Sequence, residues 1–196
     1  MKSSKIMAEN DTRRQALISA LKDPDENVRK NAAEALEKLE GKQNLPNLVD
    51  AYRKGEKRTQ LQVVYALAKV NHPEALNVLI EALANAEEDI RAASCRVLGE
   101  RCDANTAQAL VACLRDTSIT VKTTAVEALG NFSDPGLAPA LIDVMSTDNK
   151  YLLLAVIGAL GKIGANVAEE PLLKLLDHTD AEVRRAAAGA LGEIEL

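Results

Sequence analysis

The chain has 196 residues, of which 47% are apolar and 2% aromatic, with no tryptophan. A core with so few rings must be built from Leu, Ile, Val and Ala, which favours closely packed helices because Ala and Leu are strong helix formers. The formal charge is -5 and basic residues are scattered along the chain. This distribution argues against nucleic acid or an anionic membrane as the main partner.

Residues 1–10, "MKSSKIMAEN", are expected to form a flexible leader. They lack the apolar middle of a signal peptide, and the chain has no run of 18 apolar residues that would predict a membrane span. We therefore expect a cytoplasmic protein.

From residue 11 onward the chain repeats itself every 31 residues without insertion. The repeats are 11–41, 42–72, 73–103, 104–134, 135–165 and 166–196. One column of this alignment contains Leu36, Leu67, Leu98, Leu129, Leu160 and Leu191, and another contains Leu17, Leu48, Leu79, Leu110, Leu141 and Leu172. A fixed period of this length is typical of a repeat array.

Each repeat is predicted to hold two helices, taken here in the numbering of the first copy. The A helix covers roughly 13–22, and the B helix covers roughly 26–40, with apolar positions 28, 32, 35, 36 and 39 at helical spacing. A cap column precedes the B helix: Asp25, Glu56, Glu87, Ser118, Asn149 and Asp180. Asp, Ser and Asn are good N-caps, whereas the two glutamates are expected to cap less well.

A helical pair of this size cannot bury its apolar face alone, so the repeats should stack. The sequence predicts an all-α fold: a right-handed α-solenoid of six two-helix repeats, forming a single domain over 11–196. Position 14 is polar only in the terminal copies, as Arg14 and Glu169, which suggests partial capping of the array.

The column four residues after the cap holds Arg29, Gln60, Arg91, Lys122, Leu153 and Arg184. The basic side chains of this column can form an ordinary exposed ion pair with the cap residue, or a ladder that ties neighbouring repeats together, as we expect of Arg184. The glycine column Gly99, Gly130, Gly161 and Gly192 is explained by close packing or by helix-end geometry.

Catalytic chemistry finds little support. His72 and His178 are predicted to be exposed turn residues in distant repeats, and Cys95 and Cys113 to be buried free thiols. The glycines of "GALGKIGA" (158–165) end a helix and follow no strand, which argues against a dinucleotide site. We predict no enzyme activity, no cofactor and no metal.

The stretches "LKDPDENVRKNAAEALEKL" (21–39), "LRDTSITVKTTAVEALGNF" (114–132) and "LLDHTDAEVRRAAAGALGEI" (175–194) resemble HEAT repeats, specifically the PBS-lyase HEAT-like type. The resemblance implies a protein-binding scaffold, because most such proteins bind other proteins. An alternative that it implies is an accessory subunit of a bilin lyase or a phycobilisome-turnover factor. The His-Glu pairs of the related deoxyhypusine hydroxylase are absent.

The resemblance to HEAT repeats implies that the B helices line the concave face of the array. Positions 27, 30, 31, 34 and 38 should then point outward on that face. The candidate partner-binding residues are those where the copies differ in chemistry: Arg58, Tyr65, Lys69, Arg96, Glu100, Glu127, Tyr151 and Leu154. Tyr and Arg often anchor interfaces, although an ordinary solvated face with stray tyrosines is the alternative. The last B helix ends without a polar cap, so we also expect that the native chain continues or that this repeat self-associates.

Overall fold

The computed structural model describes residues 12–194, except for the side chain of Lys42, and those residues contain helices and turns but no strand. The predicted leader, 1–10, lies outside the described residues. The helices are α1 (12–20), α2 (Glu26–Lys54), α3 (Lys57–Leu67), α4 (Pro73–Ala82), α5 (Glu88–Arg101), α6 (Ala107–Cys113), α7 (Ile119–Gly130), α8 (Ala138–Val144), α9 (Lys150–Ile163), α10 (Glu169–Lys174) and α11 (Ala181–Leu191).

The chain divides into two compact units, Met1–Ala75 and Leu76–Leu196. In the second unit the B helices α5, α7, α9 and α11 pack side by side in chain order. The A helices α6, α8 and α10 each pack against the B helix of their own repeat. This is the predicted alternation, and it forms a continuous layer of B helices with A helices on one side.

The core of the second unit follows the predicted leucine columns. Leu98, Leu129 and Leu160 of the B helices are fully buried, and so are Leu110, Leu141 and Leu172 of the A helices. Burying a leucine side chain contributes roughly 2 kcal/mol to folding. These repeated leucines therefore contribute strongly to the stability of the second unit.

The first unit corrects the predicted helix bounds. The B helix of the first repeat and the A helix of the second form one uninterrupted helix, α2, with Pro46 inside it. The B helices of the third, fourth and fifth repeats are followed by a residue with positive φ at the same repeat position, namely Cys102, Ser133 and Gly164. The first repeat has Glu40 there, inside the helix, and no left-handed residue ends the helix at that point.

The first repeat is also less buried than its columns predict. Ile18 is 37% exposed and Val28 is 40% exposed, although both lie in columns assigned to the core. Arg14 donates to the Glu40 carboxylate at 3.1 Å on this outer repeat. An end repeat has a neighbour on one side only, which leaves half of its apolar surface uncovered.

The predicted caps are confirmed. The side chains of Asp25, Ser118, Asn149 and Asp180 accept backbone N–H groups of the following first turn. Glu56 and Glu87 occupy the same position but form no side-chain cap. The shorter side chains reach the orphan amides of the first turn, as N-cap residues do.

Position 31 is a further correction, because its residues were expected to point outward. Ala93 is 4% exposed and Thr124 is 8% exposed. Thr124 satisfies its hydroxyl by donating to Thr120 O at 2.9 Å, within its own helix. Close approach of neighbouring B helices covers this position in the middle repeats.

Glycines set the closeness of that approach. A Cβ atom added at Gly99 would lie 2.5 Å from the Cβ of Ala128 on the next B helix, and one at Gly130 would lie 2.9 Å from Ala159 Cβ. Gly161 faces Ala190 in the same way, at 3.1 Å. Close packing between B helices therefore explains Gly99, Gly130 and Gly161, whereas Gly192 is the C-cap residue of α11.

Candidate partner-binding face

We call the exposed side of the B helices in each unit its B face. In the first unit it includes Arg58 and Tyr65 of α3, which are both exposed, with Tyr65 at 47%. Lys69 lies just after α3 and pairs with Glu37 of α2 at 2.6 Å. This hydrogen bond and charge raise the pKa of Lys69, so Lys69 is already committed to an intramolecular partner.

In the second unit Arg96 and Glu100 lie on α5 and Glu127 lies on α7, all with exposed side chains. Arg96 and Glu127 share one repeat position, so they occupy the same side of adjacent helices. Within the described residues, the side chains of these three residues form no hydrogen bond or ion pair. Their charged groups are available to a partner.

Tyr151 and Leu154 lie one turn apart on α9. Tyr151 is 78% exposed, whereas Leu154 is half-buried and lines a groove of about 590 Å³. This α9–α11 groove is lined by Leu154, Ile157, Gly158, Gly161, Lys162, Glu182, Arg185, Ala186, Gly189, Ala190 and Glu193. Its volume is in the range of protein pockets that bind small ligands or single side chains.

The α9–α11 groove exists because two repeats have glycine where others have large side chains. Gly158 and Gly189 occupy the position of Tyr65, Arg96 and Glu127 in earlier copies. A Cβ atom added at either glycine would meet no atom within 4 Å. These two glycines were visible in the sequence as a change within a variable column, but their effect on the surface depends on how α9 and α11 pack.

The predicted ladder is confirmed for Arg91 and wrong for Arg29, which donates to the carbonyls of Asp23 and Pro24 in its own turn. Arg91 donates two hydrogen bonds to the carboxylate of Asp116 in the next repeat, from Nε to Oδ2 at 2.7 Å and from Nη2 to Oδ1 at 2.9 Å. This bidentate pair holds the pKa of Asp116 below its usual range. Arg184 is a correction, because it donates to the carbonyls of His178 and Thr179 in its own turn.

One polar column in the turn between the A and B helices was not among the predicted positions, and it stabilises that turn. Asp23, Asn85, Asp116, Thr147 and His178 share one column, and each side chain accepts the backbone N–H two residues later. This is an Asx-type turn, which these polar side chains favour. His178 is therefore a half-buried structural acceptor, not the exposed turn residue expected; His72 is exposed as predicted.

Cys95 and Cys113 are buried free thiols, as predicted. A hydrogen bond with Cys113 and burial raise the pKa of the Cys95 thiol, and the same hydrogen bond lowers the pKa of Cys113. Over residues 12–194, no cluster of His, Cys, Asp and Glu is suited to a metal ion, and no helix is long and apolar enough to cross a membrane.

Sequence comparison agrees with the repeat architecture. The profile of HEAT repeats matches residues 6–59, 45–130, 78–161 and 107–192. The chain belongs to the HEAT-repeat family. The resemblance to HEAT repeats is thereby confirmed over nearly the whole chain. No curated protein matches this HEAT-repeat chain.

Solved structures share the fold of this HEAT-repeat chain at low identity. An engineered protein is 21% identical with a TM-score of 0.57, covering 92% of this chain and 96% of the other. A designed armadillo repeat protein in complex with the peptide (KR)4 is 19% identical with a TM-score of 0.60, covering 92% and 98%. The complex of CpcE and CpcF of phycocyanin lyase from Nostoc sp. PCC7120 is 24% identical with a TM-score of 0.56, covering 92% and 64%.

These likenesses confirm an all-helical repeat solenoid, a fold typical of protein-interaction scaffolds and generally without catalytic activity. At this level of identity they identify neither a partner nor a reaction.

Proposed function

We propose that this HEAT-repeat protein is a non-enzymatic scaffold that binds a partner protein or peptide on its B face, with the α9–α11 groove as the anchoring position. The observation that carries the proposal is an exposed tyrosine next to a preformed groove. Tyr151 is 78% exposed on a helix whose next turn carries Leu154 into that groove. Exposed aromatic residues beside a pocket are typical anchors of interfaces.

The groove carries both basic and acidic side chains, which favours a partner surface with charges of both signs. The groove has Lys162 and Arg185 together with Glu182 and Glu193 along its edges. Glu182 already pairs with Lys150 at 2.7 Å, and Lys162 donates to Asn131 at 3.3 Å. Arg185 makes no hydrogen bond or ion pair within residues 12–194, so it is the cation most readily available for a carboxylate of the partner.

The test begins with the double variant Tyr151→Ala/Leu154→Ala as bait in affinity capture from the native cell, beside the wild type. A partner captured by the wild type is then purified, and its dissociation constant is measured by calorimetry. Loss of two anchors of more than about 1 kcal/mol each should weaken binding by roughly 30-fold or more. Unchanged affinity of the double variant would reject the groove as the anchor.

The matched control is Leu173→Ala on α10. Leu173 is 47% exposed and lies on an A helix, so its loss removes a similar apolar area from another surface. It should leave the affinity unchanged. A second matched pair is Gly189→Leu, which fills the groove, and Ala188→Leu, which adds the same side chain at an exposed position outside it. Only the first should prevent binding.

Arg58, Tyr65, Lys69, Arg96, Glu100 and Glu127 stay candidate partner residues. Tyr65→Ala and Arg96→Ala, measured separately against the same partner, test the B face of the first and the second unit. An effect of Tyr65→Ala without an effect of Tyr151→Ala would move the site to the first unit. The bilin-lyase accessory role stays a prediction; co-expression with a bilin and a phycobiliprotein should then give a coloured adduct.

A further inference from the structure

A second cavity lies on the A-helix side of the second unit, between α6 and α8. Its volume is about 530 Å³, and its lining includes Arg115, Lys122, Asp143, Ser146 and Thr147. We call it the junction cavity, because it lies where the fourth and fifth repeats meet. None of the candidate residues of the B face lines it.

Comparison of the repeats with one another explains why polar groups surround this cavity. Lys122 and Thr147 occupy, one repeat later, the positions of Arg91 and Asp116. At the preceding junction Arg91 and Asp116 form the bidentate pair, with side chains only 13% and 11% exposed. At the junction cavity, lysine replaces the arginine and threonine replaces the aspartate, so the bridging carboxylate is missing.

Thr147 keeps the turn hydrogen bond that an aspartate makes at this position, but not the ion pair. Its Oγ1 accepts the backbone N–H of Asn149 at 3.2 Å, which preserves the A–B turn. A threonine hydroxyl can also donate one hydrogen bond. It cannot neutralise a cation, and so the turn is kept while the ion pair is lost.

The cations that remain lack close partners. In the described part of the chain, the side chains of Lys122 and Arg115 form no hydrogen bond or ion pair, although Lys122 is attracted at longer range by Asp116. Asp143 is the one acidic residue in the lining, so the lining carries a formal charge of +1. A single anionic group from outside would balance that charge.

We propose that the junction cavity binds a small amphipathic carboxylate, whose carboxyl group takes the place of the aspartate that this junction lacks. Lys122, Arg115 and the hydroxyls of Ser146 and Thr147 would hold the carboxylate, since all of them can donate hydrogen bonds. Val111, Val144 and Leu152 also line the cavity and would contact the apolar body of the ligand.

The probe is hexanoate, titrated into the 15N-labelled full chain and followed by the amide signals of Ser146 and Thr147. Hexanol tests whether the carboxylate is needed, and potassium chloride at matched ionic strength tests screening. We expect saturable shifts with hexanoate alone. Shifts that rise linearly without saturation, or that hexanol reproduces, would overturn the proposal.

The decisive variant is Thr147→Asp, which supplies the missing carboxylate from the chain itself. It should weaken hexanoate binding at least ten-fold and leave the helical circular dichroism unchanged. Thr147→Ser keeps a hydroxyl and should retain binding. Hexanoate binding by Thr147→Asp that equals wild type would contradict the proposal.

A second measurement does not depend on a ligand. Lys122→Arg combined with Thr147→Asp recreates the Arg91–Asp116 pair at this junction, and the two changes should raise the melting temperature by more than the sum of their separate effects. An extra rise of about 2–4 °C is expected, since about 1 kcal/mol shifts a chain of this size by that amount. Additive effects would show that the positions do not face each other, and the proposal would fail.

Discussion

The glycine contacts between B helices lead to a prediction that can be worked out from distances. In Gly99→Ala the new methyl carbon would lie 2.5 Å from the Cβ and 2.6 Å from the Cα of Ala128. Ordinary carbon contacts are about 3.5–4.0 Å, so α5 and α7 must separate by about 1 Å. The obstructing atoms belong to a backbone and a methyl group, which have no rotamer with which to move away.

The magnitude follows from two opposing effects. Overpacking of this kind costs roughly 2–3 kcal/mol, whereas alanine is favoured over glycine inside a helix by about 1 kcal/mol. Gly99→Ala should therefore lower the free energy of unfolding by about 1–2 kcal/mol. Gly130 and Gly161 have longer contacts, 2.9 and 3.1 Å, so the loss should decrease from Gly99 to Gly130 to Gly161.

The matched control is Gly158→Ala, the same substitution in a helix of the same layer. An added Cβ there meets nothing within 4 Å, so only the helix-propensity gain of about 1 kcal/mol should appear. The two variants should thus differ by about 2–3 kcal/mol and have opposite signs. Urea unfolding followed by circular dichroism at 222 nm measures both. Equal shifts of the two variants, or a stabilised Gly99→Ala, would refute the packing argument.

Three further predictions concern single side chains. Ser94 is fully buried and its hydroxyl has no hydrogen-bond partner within the described residues, so Ser94→Ala should raise the free energy of unfolding by about 1 kcal/mol, measurable by urea unfolding. Ser133 has φ of 51°, and Ser133→Gly should raise the melting temperature by relieving roughly 1 kcal/mol of left-handed strain; an unchanged value would contradict this. Asp116→Asn should cost roughly 2 kcal/mol at neutral pH by weakening the pair with Arg91. The pKa of Asp116 is lowered in the folded protein. The stabilisation by the Arg91–Asp116 pair is therefore complete above the unfolded pKa of about 3.9 and is lost as pH falls through the folded pKa. If Asp116→Asn stayed less stable than the wild type in acid, the loss would have another cause.

The sequence alone determined the repeat architecture, because local and periodic signals specify it. The leucine columns recur every 31 residues, and the caps Ser118 and Asn149 stand where a helix must begin. The burial of Leu129 and Leu160 follows from the same columns. Such predictions need only helix propensity, capping chemistry and the requirement that each apolar face find a neighbour.

Only the tertiary structure decided which side chains meet across repeats. Arg91 and Arg184 share a column, and both donate to carbonyls of their own turns, yet Arg91 also bridges to Asp116 of the next repeat. The α9–α11 groove likewise depends on two glycines being adjacent on neighbouring helices. A column in the sequence gives a residue's direction, but a pocket or ion pair also needs the partner at the right distance, and helix packing sets that distance.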